Sequence, residues 1–200
     1  LIGAPQHEAV KRVMDSEVLS GFLGANGPLF YGGKEVQLLE RESEKLFNYK
    51  HAITVNSWTS GLQACIGALG IGPGDEIICP PYTMSASATC ALFYGGVPVF
   101  ADVEKETGYL DPESILARIS ERTKAIMVVH LFGYPANMDA ICKIADTYNL
   151  KIIEDAAQSP GTLYKGRQVG ALKDIGGFSL NFHKHIHTGE GGIIVTHNDE

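Results

Sequence analysis

The chain has 200 residues, 44% of them hydrophobic, and 16 Lys and Arg stand against 23 Asp and Glu for a formal net charge of −7. This is a globular composition, long enough to bury one sizeable core. An acidic chain without a basic run is a poor partner for nucleic acid or an anionic membrane, and no apolar stretch approaches the roughly 20 residues that span a bilayer.

The opening LIGAPQHEAV lacks the basic stretch and apolar core of a secretory leader. The four cysteines, Cys65, Cys79, Cys90 and Cys142, form no CxxC pair and sit in apolar segments. They read as buried thiols in a reducing compartment, so a cytoplasmic location is expected, with neither disulfides nor a zinc site. The sequence starts without Met and stops at THNDE just past a strand pattern. A piece of a longer chain is expected.

Residues 1–50 are irregular and are expected to wrap or bridge a domain or dimer interface. Within them, 34–47 reads as an amphipathic helix with Val36, Leu39, Leu46 and Phe47 on its apolar stripe. Candidate strands then follow at 51–55, 76–80, 97–103, 125–130, 151–155, 175–180 and 191–196. Several are continuous apolar runs, the mark of strands buried on both faces of a mostly parallel sheet. Helical patterns lie between them at 59–69, 84–94, 112–120 and 137–148. Asp111 as cap and Pro112 at the first helical position make a good helix start. The alternation predicts an α/β domain over 51–200, a seven-stranded, mostly parallel sheet with helices on both faces.

Ligands of open α/β sheets bind beyond the carboxyl ends of the strands. After the first strand comes NSWTSGL (56–62), opening a helix whose free N–H groups suit a phosphate or simply carry an N-cap. No GxGxxG or GxxxxGK[ST] supports a dinucleotide or Walker site. After the fifth strand comes EDAAQS (154–159). Asp155 is either held by a cationic partner or solvated at the sheet edge, since burying it unpaired is costly. After the sixth strand comes SLNFHKHIHTGEGG (179–192), where His183, His185 and His187 flank Lys184. Three alternate histidines on an extended run would suit Zn²⁺ or Cu²⁺. No further ligand is near, the glycines disfavour an extended run, and no metal is expected. A helix N-terminus for a phosphate, a carboxylate for a ring nitrogen and a lysine for an aldehyde together fit pyridoxal phosphate.

These segments resemble the DegT/StrS-type nucleotide-sugar aminotransferases, of the aspartate aminotransferase fold (fold type I). The likeness runs from about Gly24 to the last residue. It is carried by GKEVQLLERESEKLFNYKHAITVNSWTSGL, GIGPGDEIICPPYTMSASA, VPVFADVEKETGYLDPESI, TKAIMVVHLFGYPANMDAI and IIEDAAQSPGTLYKGRQVGALKDIGGFSLNFHKHIHTGEGG. The DAAQ element and a lysine six residues before the glutamate of EGG are its most specific parts. The resemblance implies that Lys184 is the Schiff-base lysine and Asp155 the partner of the ring nitrogen. It implies that Gln158 contacts the ring hydroxyl, and that Ser179 and the turn at Trp58 and Thr59 hold the phosphate. Met84 stands where the family stacks an aromatic on the ring, offering a softer sulfur contact. Trp58 stands where a small residue is usual. It either reshapes the pocket or fills a gap beside Met84, or packs on the following helix.

The family implies a homodimer with active sites at the interface. It also implies a C-terminal small domain, which is absent here. An amino donor, usually L-glutamate, and a nucleotide-linked keto-sugar are the implied substrates. A related branch replaces the lysine with histidine and dehydrates sugars, so Lys184 favours transamination. A dehydratase, a cyclitol aminotransferase on the same scaffold, and a non-catalytic regulatory homologue are the rival expectations.

Overall fold

The computed structural model describes residues 2–19 and 21–200. Residues 1–42 and 43–200 form two compact units. In the first, helix α1 (Ala4–Asp15) begins where the Gln6 side chain accepts the Gly3 N–H at 2.9 Å. Helix α2 (Lys34–Phe47) has the bounds its periodicity predicts and runs into the second unit.

The second unit continues with β1 (His51–Val55), α3 (Trp58–Ala68), β2 (Glu76–Cys79), a short α4 (Ala86–Thr89) and β3 (Val97–Phe100). Then come α5 (Pro112–Arg118), β4 (Thr123–Val129), α6 (Met138–Tyr148), β5 (Lys151–Asp155), a hairpin of β6 (Leu163–Tyr164) and β7 (Arg167–Gln168), β8 (Ile175–Ser179) and β9 (Gly192–Thr196). The seven-stranded sheet has the order β1-β9-β8-β5-β4-β2-β3. Only β9 runs against its neighbours, pairing antiparallel with both β8 and β1. The β8–β9 connection has no crossover helix, so the chain returns antiparallel.

Side chains of β4 alternate between the two faces. Ala125, Met127 and Val129 join a core with Leu62, Cys65 and Ile66 of α3. Ile126 and Val128 join another with Ile115 of α5 and Ile141 and Ile144 of α6. A central strand buried on both faces accounts for its unbroken apolar run.

Some bounds differ from the sequence pattern. β3 stops at Phe100, because the Asp102 N–H turns to Ser114 Oγ of α5 at 2.7 Å. Pro98 lies in this edge strand, where a missing donor is tolerated. The expected helix over 84–94 begins at Ala86 and tightens into a 3₁₀ turn over Cys90–Tyr94, ended by Gly95 at φ +74°. α5 ends two residues early, where Ile119 turns extended.

Candidate active site

Sheet pairing lines up the segments that follow the strands. Asp155 pairs with Gly177, Ser179 with Gly192, and Gly192 with Val55. The ends of β1, β5 and β8 therefore lie side by side, with Trp58 and Thr59 just beyond β1 and Lys184 just beyond β8. A cavity of about 280 Å³ opens there, and the seven residues singled out in the sequence all line it.

Ser57 caps α3 from an extended conformation, its Oγ accepting the Ser60 N–H at 3.1 Å. The Gly61 N–H closes the first turn on Ser57 O at 3.1 Å. The N–H groups of Trp58 and Thr59 precede any intrahelical acceptor, and with the helix dipole they suit an anion. Ser179, 7% exposed, ends β8 across from them.

Asp155 is 4% exposed, and both of its carboxylate oxygens accept hydrogen bonds. Its Oδ1 accepts Trp58 Nε1–H at 2.7 Å and the Ala157 N–H at 3.2 Å, and its Oδ2 accepts the Ser87 hydroxyl at 2.6 Å. A buried carboxylate needs such donors. The Trp58 indole packs on α3, at the first-turn glycine Gly61, where a Cβ would lie 2.6 Å from Cε3. The bond from this indole to Asp155 had no signal in the sequence, because 97 positions separate the two residues.

Gln158 Oε1 accepts the Phe132 N–H at 2.8 Å. Its Nε2 hydrogens bond to no described residue and remain free to donate. That bond steadies Phe132, which holds a left-handed φ of +53°. Met84 is 73% exposed at the rim. Lys184 is half-buried, and its amine makes no hydrogen bond or ion pair with any described residue. Its loop is closed at the base by Leu180 N to Gly191 O (2.9 Å) and Thr188 N to Leu180 O (3.0 Å). The run 183–187 is turned, not extended. All three of its histidines are exposed, and His183 lines the cavity. Among the described residues no group of three His, Cys, Asp or Glu is placed to hold a metal.

The sequence reading missed the network beneath the cavity. His130 and Glu154 are fully buried. His130 Nδ1 accepts the Ala136 N–H at 3.1 Å, so its Nε2 carries the hydrogen and donates to Glu154 Oε2 at 3.1 Å. Glu154 also accepts the N–H groups of Gly170 (2.8 Å) and Leu172 (2.5 Å). The available signal was the acid itself: in an apolar strand, Glu154 points to the face opposite Asp155 and must find donors there.

Residues 22–200 match the sequence profile of the DegT/DnrJ/EryC1/StrS aminotransferase family. The chain is 38% identical over its whole length to a spore coat polysaccharide biosynthesis protein of Bacillus subtilis, covering 49% of that protein. Over 163 residues it is 45% identical to the GDP-perosamine synthase of Caulobacter vibrioides, covering 80% of this chain and 44% of that one. The structure of an E. coli GDP-4-keto-6-deoxy-D-mannose-3-dehydratase with bound hydrated PLP superposes with a TM-score of 0.86 at 31% identity, over 97% of this chain and 49% of that one. The chain spans about half the length of the relatives it matches.

Proposed function

The chain belongs to the DegT/DnrJ/EryC1/StrS aminotransferase family, and on that premise we propose that it is the cofactor-binding part of a pyridoxal-phosphate-dependent aminotransferase. Its substrates are an amino acid donor, L-glutamate, and a keto-sugar carried on a nucleotide. One observation carries the reading. An amine with no partner among the described residues, a buried carboxylate and an open helix N-terminus line the same cavity.

Pyridoxal phosphate, when bound, supplies an aldehyde for an amine and a ring that takes up electrons. The chain's own groups fit its parts. Lys184 Nζ would hold the aldehyde carbon and, when free, would serve the donor's α-proton as base and then acid. Asp155 Oδ2 would accept the ring N–H, and Gln158 Nε2 would donate to the ring oxygen. Ser179 Oγ and the N–H groups of Trp58 and Thr59 would take the phosphate. Met84 would lend a soft sulfur contact to the ring.

Two of the relatives bear names of GDP-linked sugars, which supports a nucleotide-sugar acceptor. Lys184 favours amination over the dehydration named for the E. coli structure. In this reading 51–200 is the large domain, 1–50 a segment at a domain or dimer interface, and a second lobe follows residue 200. Exposed Phe22, Leu23 and Tyr31 in the first unit, and Tyr82, Phe132 and Tyr134 in the second, suit a homodimer. The free cysteines suit the cytoplasm.

The test is borohydride reduction of the intact protein after incubation with pyridoxal phosphate, then peptide mapping. A label on Lys184, followed by amination in a panel of donors and nucleotide keto-sugars, is the expected result. A protein that stays colourless overturns the reading. A deoxygenated sugar without nitrogen assigns the dehydratase activity instead, and an aminated cyclitol the other acceptor class.

A further inference from the structure

We infer that Trp58 is a positioning residue, whose indole N–H fixes the Asp155 carboxylate so that Oδ2 alone is left to accept a hydrogen bond from the bound cofactor. This rests on the reading of the cavity as a pyridoxal phosphate site.

The lone pairs decide it. A carboxylate oxygen accepts about two hydrogen bonds in good geometry. Asp155 Oδ1 already accepts two, from Trp58 Nε1 and Ala157 N. Oδ2 accepts one, from Ser87, and keeps one place open. The donors also differ in kind. The Ser87 hydroxyl is within 2.9 Å of Thr83 Oγ1 and can rotate to donate to either partner. The indole N–H is a donor only and cannot be reversed. Among the side chains on this carboxylate, Trp58 is therefore the one that locks it.

The indole itself is held. At 5% exposure it fills a slot in which two glycines make room. A Cβ on Gly61 or Gly177 would lie 2.6 Å from its Cε3 and Cζ3 respectively. An aromatic at the first position of a helix is under no local requirement to turn inward. Here it spans from the start of α3 to the end of β5, so one residue joins the helix end suited to the phosphate to the carboxylate suited to the ring nitrogen.

The alternative is that Trp58 only fills space. Equilibrium dialysis of the intact protein separates the two, using pyridoxal phosphate and its 1-deaza analogue, in which CH replaces the ring nitrogen. Trp58→Phe keeps most of the ring and loses the N–H. It should bind pyridoxal phosphate about tenfold more weakly, while affinity for the analogue changes by less than about twofold. Equal losses for both ligands, or no loss for either, overturn the inference. Trp58 is the only tryptophan in the chain. Benzothienylalanine placed at position 58 by site-specific incorporation removes the N–H and keeps the shape, which serves if Trp58→Phe folds poorly. Wild-type protein with no affinity for pyridoxal phosphate would overturn the functional reading itself, an outcome distinct from equal losses in the variant.

Discussion

His130 Nε2, one residue past the end of β4, and Glu154 Oε2, on β5, lie 3.1 Å apart, and neither side chain is exposed. Glu154 gathers three donors, from His130 just past β4 and from Gly170 and Leu172. Glu154→Ala leaves all three without an acceptor, and should lower stability by several kcal/mol in a denaturant titration, since each buried donor left unpaired costs about 1–3 kcal/mol. Glu154→Gln keeps one acceptor oxygen but turns an N–H against a backbone N–H. It should fall between wild type and Glu154→Ala.

Lys184→Ala should abolish both turnover and the visible colour of protein incubated with pyridoxal phosphate. The native fold should persist, since the amine holds no described residue in place. Spectra before and after dialysis, with a circular dichroism melt, check both parts. Retained turnover would remove Lys184 from its role.

Gln158 has two jobs that two variants can divide. Gln158→Glu keeps an acceptor for the Phe132 N–H and loses the donor toward the ring oxygen. Gln158→Ala loses both and frees the strained turn. Cofactor affinity should drop about three- to tenfold in either, the scale of one hydrogen bond. Only Gln158→Ala should raise amide exchange at residues 131–134.

Burial pushes the thiols of Cys79 and Cys90 up to about 12, with the Asp155 charge adding to the rise at Cys90. Half-buried Cys142 rises to about 11. Because the folded values lie above the ordinary one, the unfolded chain ionises first. Their contribution to stability is intact below about pH 9 and is lost as pH rises from there toward 12. Unfolding midpoints should hold steady to about pH 9 and then fall. At pH 8, Ellman's reagent should label the native protein slowly and the urea-unfolded protein at all four cysteines.

Strand and helix positions were legible because burial on both sheet faces imposes unbroken apolar runs, as at Ile126 to Val129. Helix starts were legible where a cap and Pro112 coincide. Strand order was not, since parallel strands are joined through helices and their neighbours depend on packing remote in sequence. The β6–β7 hairpin escaped notice because strands of two residues carry no periodicity. That seven residues would share one cavity wall was legible from their places after strands and from family resemblance. Ser87 was not: in SASAT nothing local marks it as the one serine that reaches Asp155.

Among the described residues the edge strand β1 has β9 as its sole neighbour in the sheet, although 136 residues lie between Val55 and Gly192, roughly the span of the domain. Synthesis therefore delivers the first wall of the cavity long before the strand that docks it. Until residues 192–196 leave the ribosome, β1 has no ladder to join. The start of α3 then lacks the Gly192 backbone it closes against. On the proposed reading, cofactor capture should be a late event in the life of the nascent chain, and a truncation before β9 should yield a polypeptide unable to retain it.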